Sequence, residues 1–377
     1  MLKTLPLHNC FSLLFALTTA CSIAHAAEPQ YPLWNNHETV ADYAKKVNLL
    51  PMKTLELGDN VKMELVLIPA GKFMMGTPPP TPVDEAGFSS KIARGQLGLA
   101  ASGSALLIVL GFVLAQAIRK RLRPQVSLGL LLLVTVATGG CVLSGLHWRQ
   151  SANGLQVARL EFTLAELRFS NANDYEKPAH MVTLTQPFYL GKYDVTQEQY
   201  QAVIGTNPSR FKGKDNPVEM VSWDEAQVFC KKLTERTTQT LRLPTEAEWE
   251  YGCRAGTTST YHSGDADADL GRVAWYDGNS NTTQPVGQKE PNTFGLYDMH
   301  GNVWQWCQDL RDENYYSKSP TENPQGPDHG VARLLRGGSW YDFPMYCRSA
   351  IRYRLDPDDR GNTIGFRVVV PAFRTSP

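Results

Sequence analysis

The chain has 377 residues, with 37 basic and 37 acidic side chains, so its formal net charge is zero. A neutral chain has no global field to concentrate a polyanion, which argues against nucleic acid as a partner. Aromatic residues make up 10% of the chain, beside 30 glycines and 24 prolines; that mixture fits a loop-rich globular protein better than a helical bundle.

The N-terminus reads as an export signal. Lys3 gives a short basic start, "CFSLLFALTTACSIA" supplies an apolar stretch, and "AHA" before Ala27 is a small-x-small cleavage pattern. The expected signal peptide is 1–26, with cleavage after Ala26; the alternative is a lipoprotein signal with Cys21 as the lipidated residue. Residues 27–59 are expected to form a linker. In "MELVLIPAGKFMMG", Met63, Leu65 and Leu67 alternate with Glu64, Val66 and Ile68, a strand pattern broken by the turn at Pro69-Ala70-Gly71.

Two apolar stretches follow, 97–118 and 127–148, neither containing a Lys, Arg, Asp or Glu. Each is long enough to cross a hydrocarbon layer of ~30 Å as a helix. Between them, "RKRLR" places four basic residues in five, and the positive-inside rule puts that loop in the cytoplasm. Residues 97–148 are therefore expected to be a transmembrane hairpin. It would hold the rest of the chain at the periplasmic face of the inner membrane.

From 178, "PAHMVTLTQPFYLGKYDV" reads as two short strands joined at Gln186-Pro187. Three helix starts carry the same signature: Thr196 with Gln199, Ser222 with Glu225, and Thr245 with Glu248. Each is a capping box, in which the two side chains satisfy orphan N–H groups of the first turn. Gly205 and Gly256 are natural helix ends. Beyond 257 the chain is turns, aromatics and short strands, and no fixed-period repeat points to a solenoid or propeller. Cys10 and Cys21 would leave with the signal peptide, and Cys141 lies in the second apolar stretch. Cys230, Cys253, Cys307 and Cys347 remain, and in an oxidising compartment four thiols suggest two disulfides with three possible pairings.

The segments "VLIPAGKFMMG", "PFYLGKYDVTQEQY", "NPVEMVSWDEAQVFC", "RLPTEAEWEYGCRAG", "PNTFGLYDMHGNVWQW", "RGGSW" and "GFRVV" occur in the order seen in formylglycine-generating enzymes, the sulfatase-modifying factors. The resemblance covers 60–76 and 178–371. It implies an α+β fold, a variant of the C-type lectin-like fold rich in irregular structure, with the hairpin inserted where the family carries a short loop.

Activity is a separate matter, because one fold hosts many functions. The family's oxidases bind copper through two cysteines spaced C-x4-C just after the RGGS segment, and soft thiolates suit Cu(I). Here that stretch is "WYDFPMYC", and counting from RGGS puts Asp342 in the first position and Cys347 in the second. Counting back from "GFR" moves Cys347 out of the pair. Either way the two-cysteine copper site is absent, and copper is not expected. Ser339, Asp342 and Cys347 remain candidates for chemistry, and Trp340, Arg348 and Arg352 for substrate binding. The alternative for each arginine is an ion pair with Asp356, Asp358 or Asp359.

The resemblance also implies a Cys253–Cys347 disulfide, with Cys230 and Cys307 as the remaining pair. "DMHGNVWQW" resembles the family's calcium loop, which carries the Ca2+ ligands onto Asp298, Gly301, Val303 and Gln305. Gln305 stands where the family has Glu, so one charge is lost. The functions implied are three. One is an exported, membrane-anchored factor for oxidative modification without the two-cysteine site. The second is a non-catalytic lectin-like binding module. The third is a formylglycine-generating oxidase acting on a sulfatase cysteine.

Overall fold

The computed structural model describes residues 31–79 and 174–372. The expected signal peptide at 1–26 and the expected hairpin at 97–148 lie outside the described residues. Among the described residues no helix is long and apolar enough to cross a membrane.

Helix α1 (Val40–Val47) leads into strands β1 (Met52–Gly58), β2 (Val61–Ile68) and β3 (Gly71–Met75). From residue 174 come a 3-10 turn at Asp174–Glu176 and strands β4 (His180–Leu184) and β5 (Phe188–Gly191). One antiparallel sheet has the order β1-β2-β5-β12, where β12 is Val369–Pro371. The segment expected as a linker is thus part of the fold from Tyr31 on. Tyr43, Ala44 and Val47 of α1, and Leu55 and Leu57 of β1, are buried in the main apolar core. Alternate burial along β1 is what a strand with one face on a core requires.

Strands β3 and β4 pair antiparallel, with Met75 directly opposite His180. The last residue of β3 and the first of β4 therefore lie side by side. Gly76 and Glu176 beyond them are still packed in the domain, against Glu250 and Arg348.

The three capping boxes form as the sequence predicts. Helices α2 (Gln197–Ile204), α3 (Trp223–Thr237) and α4 (Glu246–Arg254) start at Thr196, Ser222 and Thr245, each with both reciprocal bonds made. Gly205 caps α2 in the left-handed region, whereas α4 ends on Ala255, itself left-handed, one residue before Gly256. Helix α5 (Asp267–Val273) then runs into β6 (Ala274–Trp275), which pairs parallel with β7 (His300–Gly301).

The second four-stranded sheet has the order β10-β9-β8-β11: β8 is Trp304–Leu310, β9 Arg333–Arg336, β10 Tyr353–Leu355 and β11 Ile364–Gly365. Its β8–β11 pair is parallel, with Ile364 opposite Trp304. The mixture of short helices and sheets is the α+β arrangement expected, with much of the chain in turns.

Candidate functional site

The RGGS turn and the loop after it build the site. Gly337 and Gly338 have φ of +102° and +76°, a backbone that side chains with a Cβ rarely adopt. At Gly338 a Cβ would also meet the Cys347 sulfur and the Tyr346 carbonyl, both at 2.7 Å. The missing side chain lets the turn lie flat on Cys347, which is fully buried. Burial raises the Cys347 thiol pKa, and the neighbouring Asp342 carboxylate raises it further. The sulfur is therefore a protonated packing group beneath the turn, not a thiolate.

Neither expected disulfide is formed, and all four cysteines are free and buried. Each belongs to a different part of the interior than its expected partner. Cys230 packs in the main core and Cys307 in the second cluster. Cys253 is in that second cluster and Cys347 in a third, small one. Between the last two lies the His300 ring. Its Nδ1–H donates to the Cys347 carbonyl at 2.7 Å, while Nε2 accepts from the His262 backbone N–H at 3.2 Å and lies 3.7 Å from Cys253 Sγ. Those bonds fix one neutral tautomer. Burial, helped by His262, holds the His300 pKa well below the usual imidazole range.

The two candidate arginines are structural, and their partners are distant glutamates rather than Asp356, Asp358 or Asp359. Arg348 binds both oxygens of buried Glu176 at 2.8 and 2.7 Å. Arg352 binds both oxygens of Glu246 at 2.5 and 2.8 Å. One turn along α4, Glu250 meets Arg254 and Arg336. Burial alone would raise the Glu250 pKa, but the two guanidinium groups hold it below the usual value. Trp340 is buried too, with its indole N–H donating to the Asn362 carbonyl at 3.0 Å.

The calcium set carried over from the resemblance does not fit the side chains present. Gln305 Oε1 accepts from Trp249 Nε1 at 2.6 Å and from Arg367 Nε at 2.7 Å, and its amide nitrogen donates to the Asp298 carbonyl at 2.8 Å. Both lone pairs of that oxygen are taken. Asp298 Oδ1 is buried without a partner and is the one side-chain oxygen of the set still open. Ca2+ takes about 6–8 oxygens. The Arg367 guanidinium, buried beside Asp194 and Asp298, supplies positive charge there instead. Nor does a copper pair fit, since Cys347 is the single thiol of the loop and lies sealed under Gly338.

Above Cys347 opens a cleft of about 460 Å³. Its base is Trp304 of β8, with Tyr353 of β10 stacked on it at 5.2 Å and 30°. Tyr341, Phe343 and Tyr346 line it from the loop. Tyr341, Phe343 and Tyr353 are 68%, 61% and 47% exposed, far more than rings in a core. Among the described residues that line it, Asp342 is the only Asp, Glu, Lys, Arg or His. The Trp304 indole N–H donates to Asp342 Oδ2 at 2.8 Å, and the Ser339 hydroxyl donates to the same oxygen. Of the candidates, Ser339 and Asp342 come together in this cleft, whereas Trp340, Arg348, Arg352 and Cys347 do not line it. The aromatic residues were missed as site residues, although rings on both sides of an acid in "WYDFPMY" were a visible signal.

An α+β domain whose open cleft lies over a buried RGGS turn defines a class, and the sequence comparison names it. Residues 156–372 match the sulfatase-modifying factor enzyme 1-like domain. The chain belongs to that family. It is 31% identical over 239 residues to the chaperone protein LppX of Paenibacillus barcinonensis, covering 50% of this chain and 81% of that one. It is 38% identical over 185 residues to a formylglycine-generating enzyme of Streptomyces coelicolor, covering 45% of this chain and 57% of the enzyme. Among solved structures, Treponema denticola variable protein 1 shares the fold, with a TM-score of 0.57, 23% identity, and coverage of 85% and 99% of the two chains. PvdO from Pseudomonas aeruginosa does likewise, with a TM-score of 0.54, 23% identity, and coverage of 85% and 98%.

Proposed function

We propose that this chain is a ligand-binding member of the sulfatase-modifying factor family, exported and held at the membrane by its inserted segment. The observation that carries the binding role is the separation of the one loop thiol from the cleft. Cys347 is buried and protonated beneath Gly338, while the cleft above it presents exposed rings around a single carboxylate. An oxidase that works through thiolate-bound copper needs the reverse, a deprotonated sulfur facing its substrate. A relative named as a chaperone, matched over 81% of its length, supports a binding role within this family. The anchoring reading is supported by the ladder pair Met75 and His180, which brings both ends of 76–179 to one edge.

The test is oxygen consumption and aldehyde formation. Purified full chain, reduced and supplied with Cu(I), is offered a cysteine peptide of the sulfatase type. The expected result is no aldehyde and no oxygen uptake above the peptide-only control. Aldehyde formation that disappears in Cys347→Ser would overturn the binding role and restore the oxidative one. Export and anchoring are tested separately by reporter fusions after 96, 124 and 150, which should report periplasm, cytoplasm and periplasm in turn.

A further inference from the structure

We infer that the cleft recognises an organic ammonium head group, held by the Asp342 carboxylate and the rings of Trp304, Tyr341, Phe343, Tyr346 and Tyr353. The inference rests on the binding role proposed above and names its ligand class. Its first support is charge. Among the described residues the cleft is lined by one acidic side chain and no Lys, Arg or His, so a cation is the ligand whose charge the walls complement. A neutral apolar ligand would shield that carboxylate from water and leave its charge to the two hydrogen bonds at Oδ2 alone, at a cost in desolvation.

The second support is the nature of the walls. Five aromatic residues line the space, and ring faces attract cations through their quadrupole, by about 0.5–2 kcal/mol each depending on solvent access. The stacked pair of Trp304 and Tyr353 offers one broad face at the base, while Tyr341 and Phe343 stand exposed on the rim. The rest of the wall is aliphatic or hydroxyl-bearing, and supplies no competing cation.

The geometry of Asp342 separates ammonium from guanidinium. Both side-chain donors, Trp304 Nε1 and Ser339 Oγ, converge on Oδ2, so Oδ1 receives neither. A guanidinium reaches its full strength by a two-bond fork onto both oxygens of a carboxylate. With Oδ2 already engaged, that fork is unavailable, and a point-like cation loses nothing by meeting one oxygen. Alkyl groups on the nitrogen add apolar contact with the rings and lower the cost of leaving water.

The experiment titrates the full chain in maltoside micelles with choline, with the neutral tert-butyl isostere of choline, and with methylguanidinium, followed by calorimetry and tryptophan fluorescence. Choline is expected to bind saturably, and the isostere and methylguanidinium about tenfold more weakly or worse. Asp342→Asn should weaken choline about tenfold and leave the isostere unchanged. Tyr353→Ala, at a half-exposed ring, should weaken choline while the melting temperature holds. Equal binding of choline and isostere overturns the ammonium inference and leaves the cleft a binding site of another specificity. No saturable binding of choline overturns it as well. Aldehyde formation in the separate oxidase assay is what overturns the binding role itself.

Discussion

Replacing Arg352 by methionine separates a structural arginine from a ligand-binding one. Methionine keeps much of the side-chain volume and removes the charge. In the folded chain Arg352 makes two bonds to Glu246, donates to the Tyr175 carbonyl at 2.7 Å, and lies 4.1 Å from the centre of the Tyr316 ring. Glu246 is buried, so removing its partner leaves a carboxylate in low dielectric. Breaking such a pair from one side costs about 3–5 kcal/mol. Glu246 keeps the Arg336 guanidinium at 3.8 Å and the Tyr316 hydroxyl at 3.4 Å, which places the cost at the low end, about 3 kcal/mol. At roughly 2–4 °C per kcal/mol for a domain of this size, the melting temperature should fall by about 6–12 °C. The assay is thermal unfolding followed by near-ultraviolet circular dichroism, with choline binding measured at a temperature where both proteins are folded. Binding should be unchanged, because Arg352 does not line the cleft. A melting temperature within about 1 °C of the parent, with binding abolished, would refute the structural assignment.

Gly338→Ala should destabilise the chain by about 2–3 kcal/mol, since it adds a left-handed backbone penalty to a clash with Cys347 and Tyr346; urea unfolding reads the loss. The His262 ring lies against His300, 4.9 Å between centres, and burial pushes its pKa down to about 4. Both histidines are neutral in the fold and titrate near 6.5 when unfolded, so their contribution is complete above that pH and is lost as pH falls toward the folded values. The His262 share is up to about 3 kcal/mol, and His262→Phe should flatten the fall in melting temperature between pH 7 and pH 4.5. Adding a calcium chelator should leave the melting temperature unchanged, because Gln305 is committed to Trp249 and Arg367; a drop of several degrees would show a bound cation supporting the fold.

What the sequence revealed about the fold was mostly local. The capping boxes at Thr196, Ser222 and Thr245 depend on residues three apart, and all three formed. The strand break at Pro69 and the β4–β5 join at Pro187 are likewise short-range signals. Helix α1 follows an N-cap at Thr39 and carries Val40, Tyr43, Ala44 and Val47 at the i, i+3, i+4, i+7 spacing of an amphipathic helix, so its buried face is legible in the sequence although 27–59 reads as a linker by position. Alternation of Leu55 and Leu57 along β1 is a legible strand signal in the same stretch.

The site was less legible for a physical reason. Arg348 and Arg352 find Glu176 and Glu246, 172 and 106 residues away, whereas the aspartates at 356, 358 and 359 were only closer along the chain. Cysteine pairing depends on which core each helix and strand packs into, and spacing carries none of that. Asp342 and Ser339 were identified from their place after RGGS, but the depth of Cys347 was set by a glycine turn whose contact with the sulfur exists only in three dimensions.

The most direct test of the account is alkylation of Cys347 in the native full chain, read by peptide mass spectrometry between pH 7 and pH 9. A sulfur buried under Gly338 and held protonated should stay unlabelled until the chain is unfolded, and then label completely. Rapid modification of Cys347 at neutral pH in the folded chain would contradict the account, because it would place a reactive thiolate in the cleft.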